Sequence, residues 1–149
     1  LASGYGDSLA RENVVTMLEP LRSLATLITP NLPEAVALCD GATALDVQLA
    51  HLLIDTPHVL IKGGHGDGDV IVNRWFTGSR HRSWQWPRLG GEFHGSGCTL
   101  ASAIAACLAQ GQTMELALHD AQTFTQHSLA QAYAIADGQL IPCRIQEEK

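Results

Sequence analysis

"HGSGCTLASA", His94 to Ala103, sets two glycines, a serine and a cysteine directly before a run of small apolar residues with the spacing of a helix. Glycine loses more backbone freedom on folding than any other residue, so the pair flanking Ser96 signals a tight turn or a close approach to the backbone. A helix opening here would aim the amides of Ser96, Gly97, Cys98 and Thr99 outward at the positive end of its dipole, which makes an anion site. That position also eases proton loss from a thiol, so Cys98 is the group expected to take or pass a proton. The same ten residues equally read as a glycine-rich loop capped by Ser96, with Cys98 a small buried residue. Their surroundings have to decide.

Those surroundings alternate between helix and strand. Asp7 or Ser8 caps a helix whose Leu9, Val14, Val15, Leu18 and Leu21 recur at helical spacing. "ATLITPN", residues 25–31, reads as a short buried strand stopped by Pro30. In "LPEAVALC" Pro33 sits near a helix start and Glu34 in its first turn, where its charge suits the dipole. A further helix is predicted from Thr43 to Ile54, and "HVLIKGG" is a second buried strand ended by glycines. "GDGDVIVNRWF" and "RHRSWQWPRL" read as two antiparallel strands joined through "TGS", with Trp84 and Trp86 covering a sheet face or a pocket rim. Asp67 and Asp69 read as a solvated turn rather than a metal site. The His94–Ala103 motif then starts a helix running to Gln110, ended by Gly111, and a last helix spans Met114 to Ala134. The tail "DGQLIPCRIQEEK" has no strong period.

Such alternation predicts one α/β layered domain over residues 1–149 with a largely parallel sheet, whose ligands sit beyond the carboxyl ends of the strands. Three polar clusters are expected on that rim: "TPNLPE", "KGGHGDGD" and "HGSGC". Lys62 can neutralise a phosphate, and Asn31 and Glu34 can hold the water shell of Mg²⁺, which prefers oxygen ligands. With the amides before the long helix and a thiol as proton acceptor, these are parts for phosphoryl transfer, which needs mostly positioning and charge stabilisation. The order G-x-x-x-x-G-K-[ST] of a Walker loop is not present. Taken singly, Lys62 also reads as a solvated charge at a strand end, and Glu34 as a helix cap.

Composition narrows the classes. Nine Lys and Arg against fifteen Asp and Glu leave a net charge of −6 with no basic stripe, which argues against nucleic acid. No apolar run approaches the roughly 20 residues a membrane span requires, so a cytoplasmic protein with no membrane partner is expected. Four cysteines lie far apart without a C-x-x-C pair, so free thiols are expected; His94 and Cys98, four apart, lack a second pair for a metal.

"TPNLPEA", "VLIKGGH" and "HGSGCTLASAIAA", in this order and at these separations, resemble the hydroxymethylpyrimidine and phosphomethylpyrimidine kinases of thiamine biosynthesis, members of the ribokinase-like superfamily. Most ribokinase-like relatives carry Asp where Cys98 stands, and the Cys form points to the pyrimidine kinase branch. The resemblance runs from the first residues to Tyr133. It implies a three-layer αβα fold and ATP-dependent phosphorylation, with Mg²⁺, of 4-amino-5-hydroxymethyl-2-methylpyrimidine or its monophosphate. By position it implies Cys98 as the catalytic residue, and Gly95, Ser96 and Gly97 as the anion hole. It sets Lys62 and Thr99 against ATP, and Asn31 and Glu34 near the phosphate and Mg²⁺. Glu92 and Phe93 depart from the family's polar pair before the His-Gly. The family's kinases also carry an N-terminal part, ahead of the position of Leu1, that supplies central strands, an acidic residue upstream of Ala2-Ser3-Gly4 and most pyrimidine contacts. The chain therefore reads as the nucleotide half of such a kinase, a fragment or a naturally short protein. It is expected to pair through an exposed strand edge with that missing part or with another copy. The alternative is a non-enzymatic remnant that binds a nucleotide or a partner.

Overall fold

The computed structural model describes residues 14–145, which fall into two units, one ending at Arg88 and the other beginning at Leu89. The expected caps Asp7 and Ser8, and Leu9, lie outside the described residues.

In the first unit, α1 (Val14–Arg22), α2 (Leu32–Leu38) and α3 (Leu45–Asp55) precede β1 (Val59–Ile61), β2 (Val70–Phe76) and β3 (His81–Pro87). Every residue of β1 is buried, as an unbroken apolar run requires. The core gathers Leu38 and Cys39 from the end of α2, Leu52 from α3, and Val59 and Ile61 from β1, with Ile28, Leu49 and Phe76 packed against them. Arg22 ties α1 to α3 although it is only 6% exposed: its guanidinium lies 3.3 Å from the Asp55 carboxylate and donates to the His51 carbonyl. Its own carbonyl accepts from the Thr56 hydroxyl at 3.1 Å.

β1, β2 and β3 form an antiparallel sheet in that order, with Leu60 opposite Trp75 and Asn73 opposite Trp84. Trp84 is buried and Trp86 half-buried on this sheet, so both serve sheet packing. The Trp75 and Trp84 rings lie 6.5 Å apart, and the Arg82 guanidinium covers Trp84 at 5.1 Å. Among the described residues of this unit, parallel pairing is confined to bridges between Ile28 and Val59 and between Asn31 and Lys62. The strand expected over residues 25–31 is thus an extended segment held to β1 at two points, and the regular sheet beside it is antiparallel.

The second unit pairs α4 (Ser96–Ala109) with α5 (Met114–Ala130). Leu100 and Ile104 of α4 and Ala117, Leu118 and Ala121 of α5 are buried. Gly111, at φ +82°, follows the Gln110 cap of α4, where a left-handed residue is needed to end a helix. α5 ends at Ala130, short of the expected Ala134, because Tyr133 turns away to pair with Ile141. The start of the tail without a period is held by that bridge and by a parallel one between Phe93 and Leu140. Among the described residues no helix is long and apolar enough to cross a membrane.

Candidate functional site

The parallel bridge from Asn31 to Lys62 brings two of the expected clusters together in the first unit. Asn31 caps α2 through a full capping box: its side-chain oxygen accepts from the Glu34 amide, and its own amide donates to Glu34 Oε2, both at 2.8 Å. Lys62 is fixed by its amide, which donates to the Pro30 carbonyl at 2.9 Å, and its ammonium stands 3.9 Å from Glu34 Oε2. Both side chains are largely buried, 19% and 14% exposed, so this pair is far less screened than a surface one. Burial pushes the Glu34 carboxyl up, while the Asn31 amide and the Lys62 charge pull it down. Lys62 and Glu34 help line a cavity of about 320 Å³, together with Leu18, Ile28 and Leu38 among others.

Glycine shapes the segment after Lys62. Gly63 is buried against β2; a side chain there would run into the Val72 carbonyl oxygen, and the Gly63 amide donates to Asn73 Oδ1 at 2.9 Å. The loop beyond it, with Asp67 and Asp69 exposed, is held by Arg88.

In the second unit the cap of α4 is Gly95, at φ +83° and ψ 11°, not Ser96, which is the first helical residue and makes no capping bond. The count of open amides shifts accordingly. The Ser96, Gly97 and Cys98 amides donate to no backbone carbonyl among the described residues, while the Thr99 amide closes onto the Gly95 carbonyl at 2.9 Å. Thr99 is also buried, and its hydroxyl donates to the same carbonyl, so the expectation of a fourth open amide is corrected. Cys98 is exposed rather than packed, whereas Cys107, farther along the helix, is half-buried. Burial, and then the charge of Asp120, raise the Cys107 thiol above its ordinary value.

Arg144, in the tail without a period, joins this turn with no sign in the local sequence. Its Nε donates to Thr99 Oγ1 at 2.9 Å, and its guanidinium reaches within 3.0 Å of where a Gly95 side chain would begin. A full positive charge therefore stands beside the open turn of α4, adding to a dipole that already favours anions. Gly95 has to be glycine for its left-handed backbone, since the guanidinium end of Arg144 could move aside from a side chain there.

Among the described residues no group of three His, Cys, Asp or Glu side chains could enclose a metal ion. A lone carboxylate such as Glu34, with Oε2 already engaged, fits a hard cation held through its water shell rather than a protein cage.

The family model described as phosphomethylpyrimidine kinase matches residues 1–142. A hydroxymethylpyrimidine/phosphomethylpyrimidine kinase of Streptomyces coelicolor is 38% identical over 146 residues, covering 91% of this chain and 53% of that protein. The enzyme of the same description from Escherichia coli is 32% identical over 145 residues, covering 93% and 54%. The chain spans about half the length of these two relatives. Among solved structures, the pyridoxal kinase of Staphylococcus aureus in complex with AMP-PCP superimposes with a TM-score of 0.79 at 26% identity, over 86% of this chain and 50% of that one.

Proposed function

The chain belongs to the phosphomethylpyrimidine kinase family, and on that premise we propose that it contributes to ATP-dependent phosphorylation of 4-amino-5-hydroxymethyl-2-methylpyrimidine or its monophosphate. The observation that carries this reading is the start of α4, where left-handed Gly95 leaves the Ser96, Gly97 and Cys98 amides open beside an exposed thiol. Donors of that kind stabilise charge that grows on a phosphoryl group as it moves. With the free alcohol, the hydroxymethyl oxygen attacks the γ-phosphorus, the bond to the β,γ-bridging oxygen breaks, ADP leaves, and Cys98 Sγ accepts the hydroxyl proton; with the monophosphate, a non-bridging phosphate oxygen is the nucleophile and ADP leaves in the same way. Lys62 neutralises charge on the ATP phosphates. Mg²⁺, when bound, would offset phosphate charge, with Glu34 holding its water shell and Asn31 fixing Glu34. A relative bound to AMP-PCP supports adenine nucleotide as the donor.

The test is transfer of phosphate from Mg-ATP to either pyrimidine by the complete gene product, read by mass spectrometry of the product and release of ADP. Stoichiometric product and ADP are expected. ADP release without phosphorylated pyrimidine, or neither, would reject the reading.

A further inference from the structure

Arg88 directly succeeds the last residue of β3, and its amide and guanidinium bonds all go to one loop. The amide bonds the Asp69 carbonyl at 2.8 Å. The guanidinium reaches three glycine carbonyls: Nη1 to Gly64 at 2.8 Å, Nη2 to Gly66 at 2.6 Å and Nε to Gly68 at 2.6 Å. A segment with glycine at every second position has little conformational preference of its own, and Gly68 adopts φ +88°. The rigid planar fork of an arginine, which presents several donors at once, supplies the order the sequence lacks.

The clamped loop adjoins the candidate site at its start and near its middle. It begins just after Lys62 and Gly63, and Gly66 lies against Leu32, the first residue of the helix that Asn31 and Glu34 cap: a side chain at Gly66 would meet Leu32 Cδ1 at 3.8 Å. A trans peptide sets its N–H opposite the preceding C=O, so carbonyls 64, 66 and 68 on the guanidinium turn the amides of His65, Asp67 and Asp69 away from it. Each peptide dipole then carries part of the Arg88 charge to the loop's outer face.

We propose that Arg88 is a positioning residue: it holds the Gly64–Asp69 loop in one shape against the start of α2, and the triphosphate of the nucleotide binds to that preformed loop. This rests on the kinase reading above. The experiment compares Arg88→Ala and Arg88→Lys with the unaltered complete gene product, by ¹⁵N order parameters of residues 64–69 without nucleotide and by steady-state kinetics in ATP. Order parameters near about 0.85 are expected to fall below about 0.6 in Arg88→Ala. The KM for ATP should rise about tenfold while kcat stays within about threefold, the pattern of lost binding rather than lost chemistry. Arg88→Lys, which keeps the charge but not the fork, should recover less than half of the difference. Methylguanidinium added to Arg88→Ala should lower the KM again. An unchanged loop in Arg88→Ala, or a loosened loop with an unchanged KM, would overturn the proposal. Should the unaltered protein phosphorylate no pyrimidine while the loop still loosens in the variant, the kinase reading and the nucleotide role fail together, and the order parameters show that the clamp itself was correctly placed.

Discussion

Gly63 and Gly64 are adjacent, both come after Lys62, and they should respond oppositely to alanine. A Cβ at Gly63 would collide with the Val72 carbonyl oxygen and stand 3.0 Å from the Val72 carbonyl carbon and nitrogen, whereas at Gly64 it would meet nothing within 4 Å. The obstacle at Gly63 is backbone of β2, which is paired with β3, so relief requires moving a strand rather than a rotamer. Overpacking of this kind costs about 1–3 kcal/mol. Moving the segment also stretches the bond from the Gly63 amide to buried Asn73, and a buried group left short of its partner costs about 1–3 kcal/mol more. A loss of about 3 kcal/mol, at about 2–4 °C per kcal/mol for a chain of this size, lowers Tm by about 6–12 °C. Gly64→Ala should hold Tm or raise it slightly, by restricting the unfolded chain. Circular dichroism melts of the two variants beside the unaltered protein decide it. A Gly63→Ala protein melting within about 2 °C of the unaltered one would refute the close approach of residue 63 to β2.

The remaining predictions concern single side chains. Cys98→Ala should lower kcat by about 10²–10⁴ while the KM for ATP changes little, as loss of a proton acceptor requires, and Cys107→Ala should alter stability more than rate; turnover kept in Cys98→Ala would remove that thiol from the reaction. Burial lowers the pKa of His58, whose Nδ1 is buried without a partner among the described residues, so the fold favours the neutral ring. Its contribution to stability is complete above the unfolded value of about 6.5 and is lost as pH falls through the lower folded value; urea midpoints between pH 7.5 and 5 should slope less in His58→Phe, and equal slopes would contradict this. Asn31→Asp keeps a capping oxygen but buries a second negative charge beside Glu34, so Tm should fall and the KM for ATP should rise several-fold; an unchanged KM would confine Asn31 to capping.

The features legible in the sequence are those that local chemistry dictates. Pro33 and Glu34 ahead of an apolar run announce the start of α2, and "TGS" between two alternating runs announces the β2–β3 hairpin; the reciprocal Asn31–Glu34 capping box emerged only with the structure. The cap of α4 lies one residue away from the serine that sequence favours, because Ser is a better capping side chain than Gly while the left-handed backbone, invisible in sequence, selects Gly95. That one position is why the Thr99 amide is closed. Arg88 and Arg144 are illegible for another reason. Their bonds span 20 to 24 and 45 residues, and no periodicity records which distant carbonyl or hydroxyl a guanidinium will find.

Under the proposed reading, the capping role of Glu34 and a role towards phosphate or a hydrated cation need not compete. A carboxylate free to rotate would have to be ordered each time a phosphate or a hydrated cation arrived, and a long side chain loses up to about 2 kcal/mol of rotamer entropy when fixed. Here that ordering occurs on folding, because the Asn31 amide already holds Oε2 and Lys62 stands beside it. Arg88 does for the glycine loop what Asn31 does for Glu34, supplying in the folded protein an order that the local sequence cannot supply alone. The first unit thus commits its local hydrogen bonds to a preorganised cation and carboxylate, and preorganisation is what phosphoryl transfer, with little covalent chemistry for the protein to perform, draws on most.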